Sequence, residues 1–131
     1  MPMKMFVNLP VSDLGRSQAF FESLGFTFFG MTSDMASVVI NDDTQVMLLA
    51  EPVFASFTSK PVVDPAAGAQ VILALGVETR EQVDELVDKA VAAGGTAAGP
   101  AKDQGYRYQR GFFDLDGHHW EPLCLVEPEA G

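Results

Sequence analysis

The feature that most narrows the fold is an order of elements that occurs twice. A short apolar run, Met5 to Val11, is broken by Asn8 and Pro10 and leads into Ser12-Asp13, either of which can cap a helix. Leu14, Phe21 and Leu24 share one face of that helix, and Gly25 stands where a left-handed C-terminal residue belongs. Three strand stretches follow, Phe26 to Gly30, Met35 to Ile40 and Thr44 to Ala50, with Asn41-Asp42-Asp43 as a turn between the last two. The order then returns. Gln70 to Val77 is apolar, and Thr79 with Gln82 forms a capping-box signature. Val83, Leu86, Val87, Ala90 and Val91 follow at the spacing of one helical face, Glu85 and Lys89 form an i, i+4 pair, and Gly94-Gly95 ends the helix. Short strand material at Thr96 to Ala98 and a hairpin from Tyr106 onward complete the second round. Val11 and Val77 are 66 residues apart in a chain of 131, so the period is half the chain. Identity between the halves is low; what repeats is the strand–cap–helix–Gly punctuation. The expectation is an α+β fold in one domain over 1–131, with βαβββ modules at 5–50 and 69–126.

Between the modules, 51–68 has a different texture. Pro52, Pro61 and Pro65 interrupt regular structure, while Phe54 and Phe57 could pack from one helical turn. It reads as a connector, either folded over a cavity or plugging a gap in a core with its two Phe.

Composition excludes several classes. A chain 47% hydrophobic with ten Phe is not disordered. No apolar run approaches the ~20 residues of a membrane span, and no signal-peptide core is present. Cys124 is the single cysteine, so no internal disulfide can form and nothing points to secretion; a cytoplasmic protein is expected. The net charge of −10, with dispersed Lys and Arg, argues against nucleic-acid partners and favours a cationic small ligand.

The chemistry concentrates near the C-terminus, in Asp114-Leu115-Asp116-Gly117-His118-His119-Trp120-Glu121. Asp116-Gly117 is a tight-turn signal between two aromatic-rich runs, Tyr106 to Phe113 and Trp120 to Val126. Glu121 is a carboxylate within the second strand of that hairpin. It lies either on a solvated face or in a pocket.

Paired modules, the Val11-Ser12-Asp13-Leu14 helix start and the closing Asp-x-Asp-Gly-x-x-x-Glu together resemble the vicinal oxygen chelate superfamily. Its members include glyoxalase I, extradiol dioxygenases, and fosfomycin- and bleomycin-resistance proteins. The resemblance covers Met5 to Val126, with Leu115 where the family usually carries Pro. It implies a curved sheet around a cavity and, in the enzymes, one divalent metal held by side chains of the first, fourth, fifth and eighth strands. Carried over by position, those places fall on Phe6, near Leu48, on Ile72 and on Glu121. Three of the four are apolar and cannot coordinate, so no cofactor is expected, a divalent metal being the alternative. Glu51, past the fourth-strand position, falls on the opposite face by alternation. A two-ligand His119–Glu121 site is the remaining metal option, against a solvated or structural role for both residues.

The period of two then nominates a pocket lining. Asn8 goes with Phe6, Gln70 with Ile72, and His119 with Glu121; if Arg110 points inward, so do Tyr106, Tyr108 and Phe112. An apolar floor of Phe6, Leu48 and Ile72 with a polar set of Asn8, Gln70, Tyr108, Arg110, His119 and Glu121 suits a small-molecule site. Alternatively Arg110 and Glu121 pair across strands inside a packed core. The resemblance leaves three functions open. One is a metal-independent binder that sequesters its ligand, as bleomycin-resistance proteins do. Another is a lactoylglutathione-lyase-like isomerase with Glu121 as base, and the third is a vestigial domain. It also implies a homodimer.

Overall fold

The computed structural model describes residues 3–125. Val126, the expected end of the last strand, and the tail 127–131, expected to fray, lie outside the described residues. The chain divides into two compact units, Met1–Asp64 and Pro65–Gly131.

In the first unit the order is β1 (Met5–Val11), α1 (Leu14–Ser23), β2 (Phe28–Met31), β3 (Met35–Asn41), β4 (Thr44–Ala50) and α2 (Glu51–Ser56). The sheet order is β1-β4-β3-β2, with β1 and β4 parallel and the other pairs antiparallel. Asp13 caps α1, its carboxylate accepting from the Arg16 N–H at 3.1 Å. The helix lays Phe20 and Phe21 against β3 and β4, where Val11, Ala36, Val38, Val46 and Leu48 are also buried. Phe21 meets Phe20 and Phe26 edge to face, with centroids 5.0 and 6.0 Å apart. Pro52 suits the first turn of α2 because its missing N–H has no intrahelical partner there. The connector therefore contains one short helix. Phe57 at its end is 61% exposed and plugs no gap.

The second unit runs β5 (Ile72–Gly76), α3 (Arg80–Ala92), β6 (Thr96–Ala97), β7 (Lys102–Asp103), β8 (Arg107–Gln109), β9 (Phe112–Phe113) and β10 (His119–Leu125). The capping box forms as expected: Thr79 accepts from the Gln82 N–H and Gln82 accepts from the Thr79 N–H. Parallel β5 lies on one side of β10. On the other side β8 and β9 share a single antiparallel register, Leu123 opposite Gln109 and His119 opposite Phe113, so they are one strand interrupted at Arg110-Gly111. In turn β7 pairs with β8, and β6 with β9. Each unit thus sets its first strand parallel to its last, which is the repeat read from the sequence. The second differs in that its outer strands are fragments.

The turn before β10 is held by Asp114. Its Oδ1 accepts the N–H groups of Asp116 and His118, both at 3.0 Å, and its Oδ2 accepts Trp120 Nε1 at 3.0 Å. Burial pushes this carboxyl above the usual carboxylate range, against the opposing pull of His118 and the Trp120 hydrogen bond. Gly117 is obligatory twice over. Its φ is +98°, and a Cβ there would stand 3.0 Å from Ala66 Cα and the Pro65 carbonyl.

Candidate functional site

Successive residues of β10 face opposite sides of its sheet. Trp120, Pro122 and Cys124 are buried on the α3 side, where Trp120 stacks on Phe112. His119, Glu121 and Leu123 point to the other side, beside Ile72, Ala74 and Gly76 of β5 and Phe113 and Gln109 of the facing strand.

On that second face a compact polar group forms. Gln109 Nε2 donates to Glu121 Oε1 at 2.8 Å. His119 Nε2 lies 2.8 Å from Glu121 Oε2, close in distance but without the direction of a hydrogen bond. Both side chains are about five-sixths covered, at 17% and 15% exposure. Gly111, level with Glu121 in the shared register, is what admits them. A Cβ at Gly111 would stand 2.9 Å from Glu121 Oε2 and from His119 Nε2, and 3.1 Å from Ala98. Phe113 tilts against the His119 ring at 5.1 Å. The expected partnership of His119 with Glu121 therefore exists. Gln109 and Gly111 were not anticipated; alternation from Tyr108 would have put Gln109 on this face once the strand was anchored to β10.

The Tyr108–Arg110 set lies elsewhere. Alternation correctly keeps Tyr108, Arg110 and Phe112 together, but on the α3 side. Tyr108 Oη donates to Asp84 Oδ1 at 2.6 Å, and Arg110 Nη1 donates to Asp84 and Asp88 at 2.9 and 3.1 Å. Phe112 is fully buried. Arg110 thus pairs with α3 and not with Glu121, which corrects both the expected lining and the expected ion bridge. The signal for this pairing is in the sequence: Asp84 and Asp88 are one turn apart on the helix that packs on this sheet. The Tyr108 hydrogen bond, then Arg110, hold the Asp84 carboxyl below its usual range. Arg80 extends the clamp, lying 5.1 Å above the Tyr108 ring and pairing with Asp103. Tyr106 is exposed, and Gln70 is exposed in a bend before β5, outside the strand it was assigned to.

In the first unit, Phe6 and Asn8 are exposed on one face of β1. Register pairs Phe6 with Gln45, Asn8 with Met47 and Leu9 with Leu48. Leu48 therefore lies on the opposite, fully buried face with Leu9, and does not share a floor with Phe6. The residues of β4 that do face with Phe6 and Asn8 are Gln45, Met47 and Leu49; Gln45 accepts a hydrogen bond from the Ser37 hydroxyl. The cause is a one-residue offset, which exchanges faces along a whole strand.

The residues at the superfamily's metal positions do not fit a divalent ion. Phe6 and Ile72 have no donor atom, and neither Met47 nor Leu49 supplies a carboxylate, imidazole or thiolate on the Phe6 face. Glu121 is the single donor among the four positions, and one carboxylate does not hold a divalent ion. Among the described residues no three His, Cys, Asp or Glu side chains gather as a metal-holding group.

Known proteins resemble this chain over most of its length. Residues 4–41 match the family described as bleomycin resistance protein-like N-terminal. The structure of hypothetical protein SA1046 from S. aureus is 32% identical, covers 95% of each chain and superposes with a TM-score of 0.81. A glyoxalase-related enzyme from Fulvimarina pelagi is 21% identical over 95% of this chain and 88% of its own, with a TM-score of 0.82. The fosfomycin resistance protein FosX from Listeria monocytogenes is 18% identical over 95% and 93%, with a TM-score of 0.68. No curated protein matches the chain. No helix is long and apolar enough to cross a membrane among the described residues. With its two modules in the glyoxalase-like α+β fold, the chain belongs to the vicinal oxygen chelate superfamily, in one family with the S. aureus protein.

Proposed function

We propose that this protein binds and sequesters a small molecule without a metal ion, and that Glu121 receives a basic group of that ligand. The observation that carries the reading is the setting of Glu121. Gln109 steadies one of its oxygens, the open positions Ala74 and Gly76 flank it, and among the described residues no Lys or Arg pairs with it. A carboxylate so placed is available to a cationic ligand, and a net charge of −10 attracts one. His119 and Ile72 border it as contact residues. We further propose a cytoplasmic homodimer. Support comes from Phe6 and Ile72, 52% and 56% exposed on strands whose recorded pairings lie on one side only.

Thermal-shift titration with benzamidine is the direct test. Stabilisation of the wild type that Glu121→Gln abolishes is the expected result, and equal stabilisation of both would remove Glu121 from binding. Elemental analysis followed by Zn²⁺ and Ni²⁺ titration addresses the metal; tight, near-stoichiometric binding would overturn the metal-free reading. Light scattering at several concentrations reports the dimer.

The closeness of His119 to Glu121 favours a second reading, in which Glu121 is a base beside a carbonyl carbon in a glyoxalase-like isomerisation. Conversion of the methylglyoxal–glutathione adduct by the wild type and its loss in Glu121→Gln would support it. No conversion by the wild type would remove it.

A further inference from the structure

The face that carries Glu121 also carries two cations that have no partner among the described residues. Register sets Lys102 opposite Gln109, and Arg107 two residues beyond Gln109 on the same strand, opposite Leu125. All three therefore point to the Glu121 side, while Tyr108 between them points to α3. Every other Arg of the second unit has a carboxylate: Arg80 has Asp103, and Arg110 has Asp84 and Asp88. Lys102 and Arg107 make no side-chain hydrogen bond or ion pair among the described residues, and Arg107 Nε is buried without a partner. A buried guanidinium donor left unsatisfied costs desolvation that an oxyanion would return. Between the charges Gln109 is turned to Glu121, and the ground beside it is open and apolar. Leu123 lies beside Gln109, and a Cβ at Gly76, in the same row, would touch nothing.

We propose that Lys102 and Arg107 form an oxyanion-binding end of this site, so that the ligand is amphoteric, its carboxylate or phosphate-class group at Arg107 and its basic group at Glu121. The second half of that statement rests on the function proposed above; the first stands on its own residues. Four residues of strand separate Arg107 from the level of Glu121, about 13 Å between backbones. Glu121 turns towards Gln109 within that span, so a ligand that meets both ends carries its charges on a chain of several atoms lying over Leu123.

Three probes of one shape separate the two ends: octanoate, octylamine and 8-aminooctanoate, titrated by NMR into the wild type, Lys102→Gln/Arg107→Gln and Glu121→Gln. The expected result is that 8-aminooctanoate binds tightest, and that the double variant weakens it and octanoate about tenfold while leaving octylamine unchanged. Glu121→Gln should show the reverse selectivity. Octanoate binding that depends on Lys102 and Arg107 supports the anion end even if Glu121→Gln has no effect on octylamine. Octanoate affinity equal in wild type and double variant, or no octanoate binding to the folded wild type, overturns it whatever Glu121 does. Retained benzamidine stabilisation by the double variant checks that its fold is intact.

Discussion

Trp120 and Glu121 are neighbours in sequence yet belong to two different environments. The side of the sheet that takes Trp120 is closed: Phe112 stacks on the indole, Asp114 accepts its N–H, and α3 covers the rest. At its rim Arg110, Tyr108, Asp84 and Asp88 are saturated with one another. The side that takes Glu121 has residues of little bulk around the carboxylate, Ala74, Gly76, Gly111 and Ala98, and leaves Lys102 and Arg107 unpaired among the described residues. Polar groups satisfied internally hold a structure together, whereas polar groups left open on a firm sheet are available to a ligand. One strand serves both ends because its period is two.

Substitutions on the two faces should therefore separate stability from binding. The largest expected loss is Trp120→Ala, about 3–5 kcal/mol from the cavity and lost stacking, read by urea denaturation. Asp114→Asn keeps one acceptor oxygen where the carboxylate has two, so either Trp120 Nε1 or the N–H groups of the turn lose their partner, and it should cost about 1–3 kcal/mol. Its pH dependence has a definite sign. Folding raises the Asp114 pKa, so its contribution is full below the ordinary carboxylate range and fades as pH climbs through the raised value. The gap between wild type and Asp114→Asn should be widest below about pH 4 and narrow towards neutrality; a gap that widens with pH would contradict the burial argument. Gly111→Ala should lower stability by about 1 kcal/mol, because the two closest atoms in its way are the movable ends of Glu121 and His119, while Ala98 Cβ must give by a few tenths of an ångström. The same change should weaken benzamidine binding about tenfold, by displacing the carboxylate. Arg110→Ala is expected to have the smallest effect, about 0.5–1 kcal/mol for half-exposed ion pairs, with ligand affinity unchanged. An equal loss of binding there would put Arg110 back in the site.

The sequence carried the fold further than it carried the site. Caps, helix faces and the two-fold order of elements are local signals, and Asp13, Thr79 with Gln82, and the strand series 35–50 stand where those signals put them. The pairing of His119 with Glu121 was legible too, since parity within one strand needs no partner. What parity cannot supply is the side on which a strand's even residues lie relative to another strand. Arg110 and Leu48 were assigned to the wrong sides for that reason, and both errors were errors of a single residue in register. Gly111 could not be seen at all, because its role is the volume it leaves for His119 and Glu121 on the next strand.

One consequence of the sheet order concerns how the second unit comes into being. Strand β10 pairs with each of β5, β8 and β9, and it follows all of them in the chain. As the polypeptide leaves the ribosome, β5 and α3 emerge long before residues 119–125 can bridge them. The unit must then wait with an open edge at Ile72 to Gly76, and its assembly can finish only after Leu125 is clear of the exit tunnel. A nascent chain stalled before Trp120 should accordingly be cut by protease within the second unit while the first unit resists.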